Sequence, residues 1–199
     1  MIKDDFSPRF PNSLIEEFGT VEYLLNSPFP TGRTDAFVVA WVKSERQVRR
    51  IFSYLIYQFP IFSRKDVQLI TQSISSSKKN LYFDNFINGF NLVYPKTYED
   101  IIGETYKGLK GDLVKIIRFR NKIFHGQPTG ESLSANQLRI EITKIKNWCF
   151  ELAEKMQLEI GYDGFARNSF RKSRDQDIVS TYKIKIKTIE ELDRFIQKM

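Results

Sequence analysis

Apolar residues recur at helical steps along most of the chain. Phe37, Trp41, Val48, Phe52 and Leu55 follow one another at steps of four, seven, four and three. This predicts a helix from the Thr34-Asp35 start to about residue 58, where Pro60 stops it. Ser63 with Asp66 three residues later opens a second helix. It fades in the Ser- and Lys-rich run 75–80, which reads as an exposed turn. Residues 81–93 are aromatic-rich and fit helix or strand; helix is the expectation. Thr97 with Asp100 caps a further helix carrying Ile101 and Ile102, which Gly108 and Gly111 are expected to interrupt or bend. Residues 112–125 are helical again, ended by Gly126 and Pro128. Ser134 with Gln137 caps the last long helix, where Leu138, Ile142, Ile145, Cys149, Leu152 and Met156 alternate at four and three. Such a seam packs against another helix.

The two ends break the pattern. Residues 1–33 are punctuated by Pro8, Pro11, Pro28, Pro30 and Gly32, so an irregular arm is expected, with a short helix over 14–25. After Gly161, Asp163-Gly164 signals a turn and 167–177 are polar and basic. Tyr182, Ile184 and Ile186 then alternate with Lys183, Lys185 and Lys187, the period of a half-exposed strand. Thr188 with Glu191 starts a short final helix. The expected fold is all-α: an arm (1–33), a helical bundle (34–160) and a small basic β-α appendage (161–199).

Composition narrows the function classes. The chain has 199 residues, 41% hydrophobic and 28% charged, which suits a globular protein rather than a disordered one. No apolar run approaches the ~20 residues of a membrane span. Residues 1–10 mix acids, Pro and Phe and do not read as a secretory signal, so a cytoplasmic location and no membrane partner are expected. A single cysteine, Cys149, rules out an internal disulfide, and a single histidine, His125, leaves a Cys/His zinc site almost without ligands. No metal or other cofactor is expected. There is no G-x-S-x-G elbow and no Gly-rich phosphate loop. The net charge of +7 suits a polyanionic partner, a merely soluble basic surface being the plain alternative.

One residue sits oddly on its helix. On a wheel of 112–125, Leu113, Ile117 and Phe124 fall together, with Ile116 and Ile123 beside them and Lys115, Arg118 and Lys122 opposite. Arg120 falls inside the apolar stripe. Arginine is rarely buried unless paired. Either it snorkels out or pairs with an acid on a neighbouring helix, Glu45 being the candidate, or it is held in a cleft to grip a phosphate with its planar fork of donors. Asn121 and His125, four apart, share one face beside that stripe, so Arg120, Asn121 and His125 can meet at the C-terminal end of one helix.

The run Arg120-Asn121-Lys122-Ile123-Phe124-His125-Gly126 resembles the signature of the HEPN superfamily: an arginine, a polar residue, a short spacer and a histidine, at the end of one helix in an all-helical domain. The resemblance covers roughly residues 34–158. It implies a HEPN-like bundle and a metal-independent endoribonuclease of a toxin or antiviral-defence type. The implied partners are an RNA substrate, a second copy of the chain with the site at the dimer interface, and an antitoxin or other defence-system protein. It further implies that His125 is the acid–base residue, that Arg120 binds the scissile phosphate and that Asn121 orients the site. Glu45 and Arg49, four apart on the earlier helix and followed by Arg50, are similar to an acid–base pair that family members often carry, although such pairs are also ordinary surface salt bridges. In the HEPN toxins paired with nucleotidyltransferase antitoxins a tyrosine stands two residues after the histidine. Here that position is Gln127, which puts inactivation by adenylylation of such a tyrosine in doubt.

The tail suggests a second contact. Arg167, Arg171, Lys172, Arg174, Lys183, Lys185 and Lys187, interleaved with Phe165, Phe170 and Tyr182, are a candidate RNA-binding strip, by charge and stacking. The alternative is a solvated strand face with its aromatics in the core. Two other function classes stay open: a catalytically silent HEPN-like module that binds nucleic acid or protein, and a helical adaptor in which Arg120 pairs with Glu45.

Overall fold

The computed structural model describes residues 12–75, 81–125, 134–166 and 175–199. Every regular element among them is helical. In chain order these are α1 (Asn12–Leu25), α2 (Gly32–Gln58), α3 (Val67–Ser75), α4 (Phe83–Val93), α5 (Tyr98–Ile102), α6 (Tyr106–Phe124), α7 (Ala135–Ile160), α8 (Gln176–Ser180) and α9 (Ile189–Lys198). The 3-10 turns Arg64–Asp66 and Gly103–Thr105 lead into α3 and α6. The protein is all-α over the described residues, as its apolar periodicity predicts.

Side-chain caps fix several starts, because the first N–H groups of a helix have no partner within it. Ser63 accepts from the Lys65 N–H at 3.2 Å while the Asp66 carboxylate accepts from the Ser63 N–H at 2.6 Å. Thr97 and Asp100 make the same reciprocal pair, at 3.1 and 2.8 Å. The Ser134 hydroxyl accepts from the Gln137 N–H, and the Thr188 hydroxyl from the Glu191 N–H, both at 3.2 Å.

The chain divides into two units that are interleaved along the sequence. The first comprises residues up to Ser44 together with Thr105–Glu154. It holds α1, the start of α2, α6 and most of α7. Phe18, Phe37, Trp41, Leu113, Ile116, Ile145, Trp148 and Leu152 are buried there. Phe18 meets Phe150 edge to face at 5.8 Å, and Tyr106 lies 6.2 Å from Trp148. Lys43 pairs with Glu17 at 3.0 Å, and Arg139 donates to the Leu25 carbonyl at 3.2 Å.

The second unit comprises Glu45–Glu104 and Lys155–Met199. Its core includes Ile51, Phe52, Leu55, Phe62, Phe90, Tyr98, Tyr162 and Leu192. The predicted turn after α7 is present and tightly locked. Gly161, at φ 71°, is the left-handed residue that ends α7. The Asp163 carboxylate accepts from the Phe165 and Ala166 N–H groups at 2.8 and 2.7 Å. Gly164, at φ 84°, lies so close to Gln47 that a Cβ there would come within 2.6 Å of its Cγ.

Three expectations change. The helix expected over 14–25 is present as α1 and starts two residues earlier, burying Phe18, Val21 and Leu25; what changes is the weight of the arm, which contributes to the core. Gly108 and Gly111 do not interrupt anything; α6 runs through both, since each costs a helix only about 1 kcal/mol and the buried Leu113 and Ile116 anchor it. The expected strand over 182–187 does not form, and no strand stands elsewhere among the described residues of the appendage. Its side chains alternate as foreseen, with Lys183, Lys185 and Lys187 exposed and Ile186 buried. Yet its two backbone bonds, from the Tyr182 N–H to the Val179 carbonyl at 3.2 Å and from the Lys183 N–H to the Val93 carbonyl at 2.9 Å, go to helix ends. A strand needs a neighbouring strand, and none stands beside it among the described residues. The short helix α8 starts at the end of the stretch read as polar and basic and runs past it, unforeseen.

Candidate active site

Arg120, Asn121 and His125 all lie on the last turn and a half of α6. The helix stops at Phe124, with His125 as its C-cap at φ −92° and ψ 7° and its N–H donating to the Asn121 carbonyl at 3.1 Å. Asn121 and His125 are exposed and Arg120 is half-buried. The wheel puts Arg120 inside the apolar stripe, but the stripe itself thins out here and leaves Arg120 half-buried. Leu113 and Ile116 are buried, whereas Phe124 is 48% exposed.

Two side chains of its own turn contact the guanidinium. Arg120 Nη1 donates to Asn121 Oδ1 at 2.9 Å, and Arg120 Cζ stands 4.7 Å from the centre of the Phe124 ring. A cation over an aromatic face is favourable by about 0.5–1 kcal/mol at such a site. Phe124 is thus a functional candidate that the wheel counted only as core. Its signal was available: an aromatic ring four residues after an arginine shares its face. The end of a helix carries its unsatisfied carbonyls and the negative pole of its dipole, which favours cations. A phosphate bound there gains nothing from the helix and depends on the guanidinium.

Comparison with protein-family models, with curated proteins and with solved structures finds no match. What the site can do therefore rests on its own chemistry.

The remaining candidates fall elsewhere. Glu45 and Arg49 belong to the second unit, Glu45 half-buried and Arg49 exposed on α2. Arg49 lies over the Phe86 ring at 5.2 Å. Arg50, their neighbour, is structural: Nη1 and Nη2 donate to the carbonyls of Phe165 and Ala166 at 3.0 and 2.6 Å. Arg167, Arg171, Lys172 and Arg174 lie outside the described residues. Lys183 and Lys185 are exposed, and Lys183 Nζ donates to the Asn91 carbonyl at 3.1 Å. Phe170 lies outside the described residues, and the other two aromatics meant to stack bases are used inside: Phe165 is buried, and the Tyr182 hydroxyl donates to the Leu55 carbonyl at 3.0 Å while its ring meets Phe59 edge to face. Burial raises the Tyr182 phenol well above the usual range.

In the first unit, the sequence reading passed over a buried acid. Glu141 is 2% exposed, accepts from Gln137 Nε2 at 2.6 Å and faces Lys144, which also pairs with Asp112 at 3.2 Å. Burial pulls the Lys144 ammonium down, but Asp112 and Glu141 together hold it above its ordinary value. The signal was a glutamate in register with Leu138, Ile145, Trp148 and Leu152 on the apolar face of α7. Cys149 is fully buried, and burial pushes its thiol far up, so it is inert at neutral pH. Among the described residues no group of three or more His, Cys, Asp or Glu is placed to hold a metal, and no helix is long and apolar enough to cross a membrane.

Proposed function

We propose that the protein is a metal-independent endoribonuclease of the HEPN type, acting as a homodimer in a toxin or antiviral-defence role. The observation that carries this reading is the last turn of α6. There Arg120 is steadied by Asn121 and the Phe124 ring, beside an exposed His125.

Metal-free cleavage uses the RNA 2′-hydroxyl as its internal nucleophile. A base takes that proton, the 2′-oxygen bonds to phosphorus, and the bond to the 5′-oxygen breaks as an acid protonates it. Imidazole suits both proton roles near neutral pH. Each chain has one histidine. A two-fold axis beside α6 would bring two copies of His125 to one phosphate, one as base and one as acid, with two Arg120 guanidinium groups over the phosphoryl oxygens. The exposed Phe124 ring at the edge of the site suits burial against the second copy. A toxin or defence role would also involve an antitoxin or a partner protein of the defence system.

The test is incubation of wild type and His125→Ala with tRNA and single-stranded RNA in EDTA. The expected result is cleavage by wild type to 2′,3′-cyclic phosphate and 5′-hydroxyl ends, with the variant slower by about 10²–10⁴-fold. RNA binding without cleavage by wild type would instead identify a catalytically silent binding module.

A further inference from the structure

The second unit contains a feature that ribonuclease chemistry does not use. A cavity of about 500 Å³ opens between the end of α2 and the segment joining α8 to α9. Phe59, Ile61, Val179, Tyr182, Ile184 and Ile186 line it, and Lys185 and Lys187 stand at its rim. That volume lies in the ordinary range of ligand sites, about 300–1,000 Å³.

The segment beside the cavity carries the alternating pattern of a strand without a strand partner. Ile186 points inward and is 5% exposed, while Lys185 and Lys187 point to solvent. The Lys187 N–H is taken by the Glu191 carboxylate at 2.6 Å. Residues 184–186, by contrast, make no main-chain hydrogen bond to any described residue. Neither the Lys185 nor the Lys187 ammonium meets a carboxylate among the described residues.

We infer that this edge is a docking site for an extended acidic peptide segment of a partner protein, added as a strand along residues 184–186. Three features converge on that occupant. Open N–H and C=O groups offer a main-chain ladder. The cavity accepts an apolar side chain from the added strand, whose residues point alternately inward and outward. The lysines oppose its outward acids, and opposite charges across a strand pair are favourable. A second copy of the same segment fits poorly, since it would set lysine against lysine. Lysines on an open edge are a device against such self-pairing, and they leave an acidic partner as the complementary one.

The test is a selection from a random heptapeptide display library on the full-length wild type and on Lys185→Glu/Lys187→Glu. Both substituted side chains are exposed, so the fold is retained. The expected wild-type consensus alternates Asp or Glu with β-branched or aromatic residues, and the variant loses those binders. The most enriched peptide is then synthesised with its alternate amides N-methylated, which removes ladder donors and keeps the side chains; binding should weaken at least tenfold. An unselective library, a basic consensus, or equal binding of the methylated peptide would each overturn the proposal. So would displacement of the peptide by dodecanoate or by oligouridylate at comparable concentration, which would assign the edge to a small amphiphile or to RNA.

Discussion

Arg50 and Arg120 are both half-buried and both lie against an aromatic ring, yet they hold different things. Arg50 stands 5.9 Å from the Tyr162 ring and donates to two main-chain carbonyls more than a hundred residues away in sequence. It staples the turn after α7 to α2, with the buried Asp163 and the left-handed Gly164 completing the lock. Arg120 stands on Phe124 and bonds Asn121, both within its own last turn, next to an exposed histidine. The first arginine closes a fold; the second is poised at a surface. Burial and a ring contact do not separate a structural guanidinium from a functional one. Substitution separates them, by whether folding or cleavage is lost.

That contrast can be broken by paired substitutions. Arg120→Ala should lower RNA cleavage by about 10²–10³-fold, as loss of one preorganised donor does, with a stability change below about 1 kcal/mol. Arg50→Ala should do the reverse. Losing charged donors to two carbonyls should cost about 2–3 kcal/mol in urea unfolding, with cleavage by the remaining folded protein little changed. Equal stability losses in the two variants would erase the distinction.

A smaller effect concerns the helix starts that shape the second unit. Thr97→Ala should cost about 1 kcal/mol, as loss of an N-cap does. Hydrogen bonds from the Thr97 N–H and hydroxyl hold the Asp100 carboxyl below its ordinary value. A carboxyl depressed in the folded state stabilises the fold above its unfolded value and loses that contribution as pH falls through the folded one. Urea midpoints should therefore drop on acidification below the usual carboxylate range, and less so in Thr97→Ala. The smallest effect, with the opposite sign, is in α6. A Cβ at Gly108 or Gly111 meets nothing within 4 Å. Gly108→Ala and Gly111→Ala should each add about 0.5–1 kcal/mol, leaving the site at the other end of the helix active.

The caps and the apolar seams were legible in the sequence because they are local: Ser63, Thr97, Ser134 and Thr188 each act within three residues, and the seam of α7 is buried from Leu138 to Met156. What needs a partner was not. Residues 182–187 encode a half-buried edge, but alternation says nothing about whether a second strand stands alongside. Gly108 and Gly111 looked like breaks because propensity is a weak prior that a packed helix overrides. Arg120 was picked out by its place on the wheel, while the exposure of Phe124 was not, since a wheel cannot tell where along a helix its apolar stripe loses cover. The proposed homodimer lies beyond what one chain's periodicity can encode.

The most direct test uses a DNA oligonucleotide carrying a single ribonucleotide, incubated in EDTA with wild type and His125→Ala. If the end of α6 activates a 2′-hydroxyl, wild type cuts once, on the 3′ side of the ribonucleotide, leaving a cyclic phosphate, while the variant is slower by about 10²–10⁴-fold and an all-deoxy strand stays intact. Cutting of the all-deoxy strand, or an unchanged rate without the imidazole, would contradict the account.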